Sequence, residues 1–174
     1  MDEPEPIEPD TRDWTFVLEH GCPECGFDPE LDPTTTGERL RATVPAWREQ
    51  LERADVRVRP EPTTWSPLEY AAHCRDVLTM MRERLELMLA EDGATFASWD
   101  QDATAVEERY HRQDPAVVAD EYEEEAILTA EAFEAVHGEQ WQRRGYRAGT
   151  PFTVATLAVY LLHDLEHHLD DVTR

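Results

Sequence analysis

Apolar residues recur at helical spacing over four long stretches of this chain. The first runs from about Thr36 to Arg53 and carries Leu40, Val44, Trp47 and Leu51. The second runs from Ser66 to about Ala90 with Leu68, Ala71, Leu78, Leu85 and Leu89. The third, Asp114 to His137, presents Val117, Val118, Tyr122, Ala126, Leu128, Ala132, Phe133 and Val136. The fourth, Thr153 to Val172, presents Val154, Leu157, Ala158, Leu161, Leu162, Leu165 and Leu169. Residues three and four apart share one helix face, so each stretch predicts an amphipathic helix with a buried stripe.

The ends of these stretches carry helix signals. Thr36 is a candidate N-cap for the first. Ser66-Pro67-Leu68-Glu69 is a capping box with proline at the first helical position. Gly93 stops the second helix, Asp114-Pro115 opens the third, Gly138 ends it, and Pro151 precedes the fourth. The run Glu121 to Glu125 reads as the wet face of the third helix. Between the second and third helices lies a link of about twenty residues, long for a compact domain. It is expected to hold a short helix from Asp102 to Tyr110 and to cross the end of the molecule. Trp14 to Leu18 reads as a short extended piece, and Trp141 to Arg147 as a turn or small ribbon. No strand-period segment of comparable length is present. The expected fold is all-α, a four-helix bundle over residues 13–174, preceded by a mobile acidic tail at 1–12.

Charge narrows the function. The 174 residues carry 39 acidic and 16 basic side chains, a formal net charge of −23, and every basic residue is arginine. Nucleic-acid binding needs a basic footprint, and so does docking to an anionic membrane surface, so both are excluded as expectations. No window approaches a membrane span, and the start of the chain has neither a basic region nor an apolar core of a signal peptide. A cytoplasmic protein is expected, with a small-molecule substrate.

Three histidines carry the chemistry. His163 and His167 are four residues apart on the fourth helix, so both rings leave the same face one turn apart. His73 lies two turns into the second helix. If these helices run antiparallel, the three rings meet at one end of the bundle, where bundle proteins build metal sites. Three imidazoles with open positions form a catalytic type of site, since structural zinc sites fill all four. Glu69, Asp164 and Asp170 are candidates to orient the ligating rings, with Asp171 also flanking the pair. His168 is expected to point away from the site and to pair with Asp164. Arg143, Arg144 and Arg147 are candidates to hold a carboxylate or phosphate, of which Arg143 and Arg147 are preferred. His20, His111 and His137 have no comparable context.

Cys22, Cys25 and Cys74 are too few and too odd in number for a disulfide framework. Cys22-Pro23-Glu24-Cys25-Gly26 has the spacing of half a zinc ribbon, and His20 leaves it one ligand short. The simpler reading is a tight turn with two half-buried thiols; the functional one is a reactive dithiol or a thiol lip on the site.

Three stretches resemble the DinB-like family of four-helix-bundle metalloproteins: Trp65 to His73, Leu162 to Val172, and Cys22 to Asp28. The last, with Trp141 to Arg147 and the Phe-Thr-Val before the fourth helix, is similar to an actinobacterial-type branch. The resemblance implies an up-down-down-up topology. It also implies metal ligands at His73, His163 and His167, zinc or nickel as the ion, and a possible homodimer. It further implies a thiol-dependent S-transferase or isomerase of mycothiol type, using a low-molecular-weight thiol as co-substrate. A metal-dependent hydrolase on the same site, and a non-enzymatic metal-binding or stress protein, are the alternatives.

Overall fold

In a computed structural model, which describes Pro4 and residues 6–174, the expected helices form where their end signals stand. Along the chain they are α1 (Val17–His20), α2 (Thr36–Leu51), α3 (Pro67–Ala90), α4 (Gln101–Glu107), α5 (Pro115–Glu134) and α6 (Val154–Thr173). The capping box of α3 is complete. Ser66 Oγ accepts from the Glu69 N–H at 3.3 Å, and Glu69 Oε2 accepts from the Ser66 N–H at 2.9 Å. Asp114 caps α5 through the N–H groups of Ala116 and Val117, and Thr153 caps α6 through Thr156. Thr36 is the first helical residue of α2 rather than its cap. Its hydroxyl donates to the Pro33 carbonyl, and Asp32 caps the 3-10 turn Pro33–Thr35 that feeds the helix.

Cross-helix pairs fix the directions. Arg41, near the start of α2, reaches Glu134 at the end of α5, and Arg48 meets Glu123 and Asp120 further back, so α2 and α5 are antiparallel. Arg75 pairs with Glu121 and Arg82 with Glu125, so α3 and α5 are parallel. Arg39 pairs with Glu166, and Arg53 donates to the Val172 carbonyl, so α2 and α6 are parallel. His73 near the start of α3 faces Asp164 in the second half of α6, which makes that pair antiparallel. The topology is therefore up-down-down-up. Parallel α3 and α5 cannot be joined by a tight turn, and the long link after α3 is the consequence.

The fold is not purely helical. Strands β1 (Ala94–Phe96), β2 (Arg144–Arg147) and β3 (Thr150–Thr153) form a small sheet in that order, β1 parallel and β3 antiparallel to β2. Strands this short leave no readable alternation, which is why the sequence pattern misses β1 and β3. Gly145 is required where β2 crosses α3: an added Cβ would sit 2.7 Å from Met88 Cγ and from the Phe96 ring. Of the turn or ribbon expected at Trp141 to Arg147, Trp141 and Gln142 end the 3-10 turn Gly138–Gln142, and Arg144–Arg147 form β2 of the β2–β3 hairpin. Trp14 to Leu18, expected as extended, instead forms the 3-10 turn Trp14–Phe16 and α1. Asp13 accepts from the Thr15 N–H at 3.0 Å and starts that turn. The short helix in the link is α4, capped by Asp100, followed by a 3-10 turn at Tyr110–Arg112.

The core lies between the four long helices. Trp47, Leu78, Leu85, Tyr122, Phe133, Leu157 and Leu161 are fully buried there, each such side chain contributing about 1.5–3 kcal/mol of burial free energy. Two expected core positions, Val117 and Leu128, are exposed. They lie roughly three turns apart on α5 and so share an outward face. Val118, Ala119, Tyr122, Ala126, Thr129, Ala130 and Phe133 are the buried residues of α5. Cys74 is fully buried in this core, where burial pushes its thiol well above the usual range. Of the segment expected as a mobile tail, Met1 to Glu3 and Glu5 lie outside the described residues. Within the described part, Ile7 packs against the core, and Asp10 accepts from the Trp14 indole N–H at 2.9 Å. Among the described residues no helix is long and apolar enough to cross a membrane.

Candidate metal centres

The second half of α6 presents two pairs of ligand residues in adjacent frames. A step of one residue turns a helix by about 100°, so His163 and His167 face one way while Asp164 and His168 face another. The structure assigns these faces differently from the sequence expectation. His73 stands opposite Asp164 and His168, and His163 and His167 stand opposite Cys22 and Cys25.

In the first cluster, ligand atoms of His73, Asp164 and His168 all lie within 4.8 Å of one another. His73 Nε2 is 3.8 Å from Asp164 Oδ2, and His168 Nε2 is 3.3 Å from Asp164 Oδ1. On its far side, His168 Nδ1 is 3.3 Å from Asp171 Oδ2. His73 is fully enclosed, stacked on Trp99 at 5.4 Å and 4° and flanked by Trp65. Neither of its ring nitrogens has a hydrogen-bond partner among the described residues. Burial, and next the charge of His168, hold the His73 ring neutral with a pKa near about 4. Burial opposes the charge on His168 as well, but Asp164 and Asp171 outweigh it and raise that ring to about 9. Burial likewise works against the Asp164 carboxylate, yet His168 holds it at about 2. One imidazole without a partner, one imidazole oriented by a second carboxylate, and a shared carboxylate make a two-histidine, one-carboxylate donor set. That set suits zinc, iron or nickel with open positions.

A cavity of about 660 Å³ reaches Asp164 and His168, and also His163 and His167 of the neighbouring frame. Its walls include Trp14, Trp65, Trp99, Tyr70 and Tyr160, and two guanidinium groups, Arg84 and Arg147. Arg84 is buried, donates to the Ala97 carbonyl at 3.0 Å, and lies over the Phe96 ring. Burial first, and then the charge of Arg147, lower its pKa to about 10. Arg147 lies over Phe152 and Tyr160 at 5.3 and 5.4 Å.

In the second cluster, ligand atoms of Cys22, Cys25, His163 and His167 lie within 4.8 Å of one another. Cys22 Sγ is 3.6 Å from His167 Nδ1, and His167 Nε2 is 3.6 Å from Asp171 Oδ2. His163 is buried between Trp14 and Phe27, and its Nε2 has no partner among the described residues. Burial and the neighbouring His167 lower its pKa to about 4, and burial lowers that of His167 as well. Burial, with Cys22 beside it, pushes the Cys25 thiol up to about 11. All three cysteines are free thiols.

Residues 36–172 match the family model of the DinB superfamily. The chain belongs to the DinB superfamily. Among solved structures it is similar to YfiT from Bacillus subtilis, described as a probable metal-dependent hydrolase with an unusual four-helix bundle topology. The identity is 19%, the TM-score 0.71, and the match covers 81% of this chain and 83% of that one. At that identity the likeness is one of fold. No curated protein matches the chain.

Within this DinB fold the residues singled out by sequence divide. His73, His163 and His167 are all buried near the same end of the bundle, but in two groups rather than one. Asp164, expected to orient a ligand, and His168, expected to point away and pair with Asp164, do pair, and both have ligand atoms within 4.8 Å of one on His73. Asp170 pairs with Arg174, and its neighbour Asp171 is the carboxylate that faces His167 and His168. Glu69 is occupied by its capping box and by Arg59, which grips it through two nitrogens. Arg143 donates to the Leu89 carbonyl and Arg144 pairs with Asp92, so both secure the end of α3 away from the cavity. Arg147 does line the cavity. Arg84 was missed because it sits inside a long helical pattern, where an arginine reads as a wet-face residue.

Proposed function

We propose that His73, Asp164 and His168 hold a divalent transition metal, zinc or nickel, and that the chain is a metal-dependent hydrolase for a small anionic substrate. The observation that carries this is His73. An imidazole with no exposure and two unpartnered nitrogens is costly to bury, and it faces a carboxylate and a second imidazole at the edge of a cavity. The fold it shares with YfiT, described as a probable metal-dependent hydrolase, supports the same reading. A metal ion in such a site supplies Lewis acidity and lowers the pKa of a water or thiol nucleophile.

The chain's own groups account for the rest. Asp171 accepts from His168 Nδ1–H and so fixes which nitrogen His168 offers to the ion. Trp65 and Trp99 keep water from His73. Arg84 and Arg147 place two positive groups in the cavity of a strongly acidic protein, the donors a carboxylate or phosphate ester needs. A second reading is favoured by the cavity volume, about 660 Å³. That is room for a low-molecular-weight thiol beside an electrophile, as a thiol-dependent transferase or isomerase requires.

The test is turnover of a panel of anionic esters and amides by metal-loaded protein, with and without added thiol. Hydrolysis without thiol, lost in His73→Ala and His168→Ala, supports the hydrolase. Turnover only with thiol moves the second reading to first place. Full activity in both variants sinks the metal site.

A further inference from the structure

We propose that Cys22, Cys25, His163 and His167 form a second metal site, a closed structural one of the Cys2His2 type suited to zinc. It would clamp the N-terminal segment onto the end of α6. This site does not depend on the hydrolase reading, and its cysteines precede the residues that match the family model.

The local backbone prepares the two thiols. Gly26 has φ +75° and donates its N–H to the Cys22 carbonyl at 2.8 Å, while the Cys22 N–H donates to the Phe27 carbonyl at 3.0 Å. The chain thereby reverses over Cys22 to Cys25. Gly21 enters the turn at φ +69°, where an added Cβ would sit 2.7 Å from the Phe27 carbonyl oxygen. The other two donors come one turn apart from α6. All four donor atoms lie within mutual reach.

The distances suit a tetrahedral ion. With Zn–S near 2.3 Å and Zn–N near 2.0–2.1 Å, the sulfur–nitrogen edge of the tetrahedron is about 3.6 Å. The Cys22 Sγ to His167 Nδ1 distance is 3.6 Å. The unpartnered His163 Nε2, in a side chain only 4% exposed, is the second sign that a ligand belongs there. Asp171 faces the far nitrogen of His167, as an orienting carboxylate does in zinc sites. Four protein ligands leave no open position, so this site holds structure and does no chemistry. Zinc replaces the two thiol protons, which pass to solvent.

Between Gly21 and Asp32 the chain has neither helix nor strand, and a metal staple is how such segments are fixed. The consequence reaches the cavity, because Asp10, Arg12 and Trp14 form part of its wall and lie just before the clamp. Trp14 also packs on both clamp histidines, at 5.5 and 5.0 Å. Asp171 Oδ2 faces His167 Nε2 at 3.6 Å and His168 Nδ1 at 3.3 Å, so it joins the two sites.

The experiment is cobalt substitution of the full-length chain, purified under reductant and stripped of metal. Sulfur ligands give a thiolate-to-cobalt charge-transfer band in the near ultraviolet, and tetrahedral geometry gives intense visible bands. The cluster of His73, Asp164 and His168 contains no sulfur, so the ultraviolet band reports the clamp alone. The unaltered chain should show both features. Cys22→Ser and, at the half-buried position, Cys25→Ser should lose the charge-transfer band and one equivalent of zinc, while His168→Ala keeps the band. Zinc should also slow alkylation of Cys22 and Cys25 by about tenfold or more, since a ligated thiolate is protected. Absence of the band in the unaltered chain, equal alkylation with and without zinc, or a Cys22–Cys25 disulfide in zinc-loaded protein would each overturn the proposal.

Discussion

Replacing His73 by leucine should make the metal-free protein more stable, not less. His73 buries two ring nitrogens that find no hydrogen-bond partner among the described residues. An unsatisfied buried polar group costs about 1–3 kcal/mol. Leucine is close in volume and carries no polar atom, so repacking is mild. It forfeits the stacking on Trp99, worth about 0.5–1.5 kcal/mol. The central balance is a gain of about 1 kcal/mol, or roughly 2–4 °C in Tm for a chain of this length. Metal should reverse the order. An ion at a hundred times its Kd stabilises the wild type by about 2.7 kcal/mol through binding to the native state alone, and the leucine variant lacks the site. The assay is urea unfolding of both proteins after chelation, and again with excess zinc or nickel. Both are stripped alike, so the cysteine cluster contributes equally to each. A leucine variant less stable than wild type by about 1 kcal/mol or more without metal would refute the reasoning, because it would mean His73 is satisfied in the core.

Other perturbations separate structural from functional groups. Glu69→Gln should destabilise the protein by about 3 kcal/mol at neutral pH, since it breaks a buried pair with Arg59, and should leave metal content unchanged by elemental analysis. Burial opposes the Glu69 charge, but Arg59 and Ser66 hold its pKa below the usual value. Its contribution is therefore complete above the unfolded pKa of about 4.3 and lost as pH falls through the lower folded value. The gap between wild type and Glu69→Gln in unfolding free energy should accordingly close in acid, and a gap that widens there would contradict the sign. Arg84→Met and Arg147→Met should each weaken binding of anionic substrates or inhibitors by about ten- to a hundredfold, the worth of a charge-assisted hydrogen bond. Zinc content should not change, and equal affinity for anions in both variants would remove the anion site. Gly145→Ala should lower stability by about 1–3 kcal/mol through the clash with Met88 and Phe96, visible as a lower Tm with helicity retained; an unchanged Tm would show that β2 can shift away from α3.

Local interactions made much of this protein legible from its sequence. The four long helices follow from apolar spacing and from caps such as Ser66, Asp114 and Thr153, which act within a few residues of themselves. The acidic charge and the histidine content of α6 are likewise properties of the chain alone, and the histidines expected to meet are all buried near one end of the bundle. Of the small sheet only the ribbon near Arg144 to Arg147 was legible; β1 was not, because it pairs with a strand some fifty residues away and is too short to show a period. Nor was the division of the histidines. Which frame of α6 faces α3 depends on the rotation of that helix about its axis, and a shift of one residue swaps His163 and His167 for Asp164 and His168. That rotation is set by packing of Leu157, Leu161 and Leu165 against the other helices, a tertiary decision. The same holds for Cys22 and Cys25. His163 and His167 lie at the opposite end of the chain, and only the folded arrangement brings them within reach of the two cysteines.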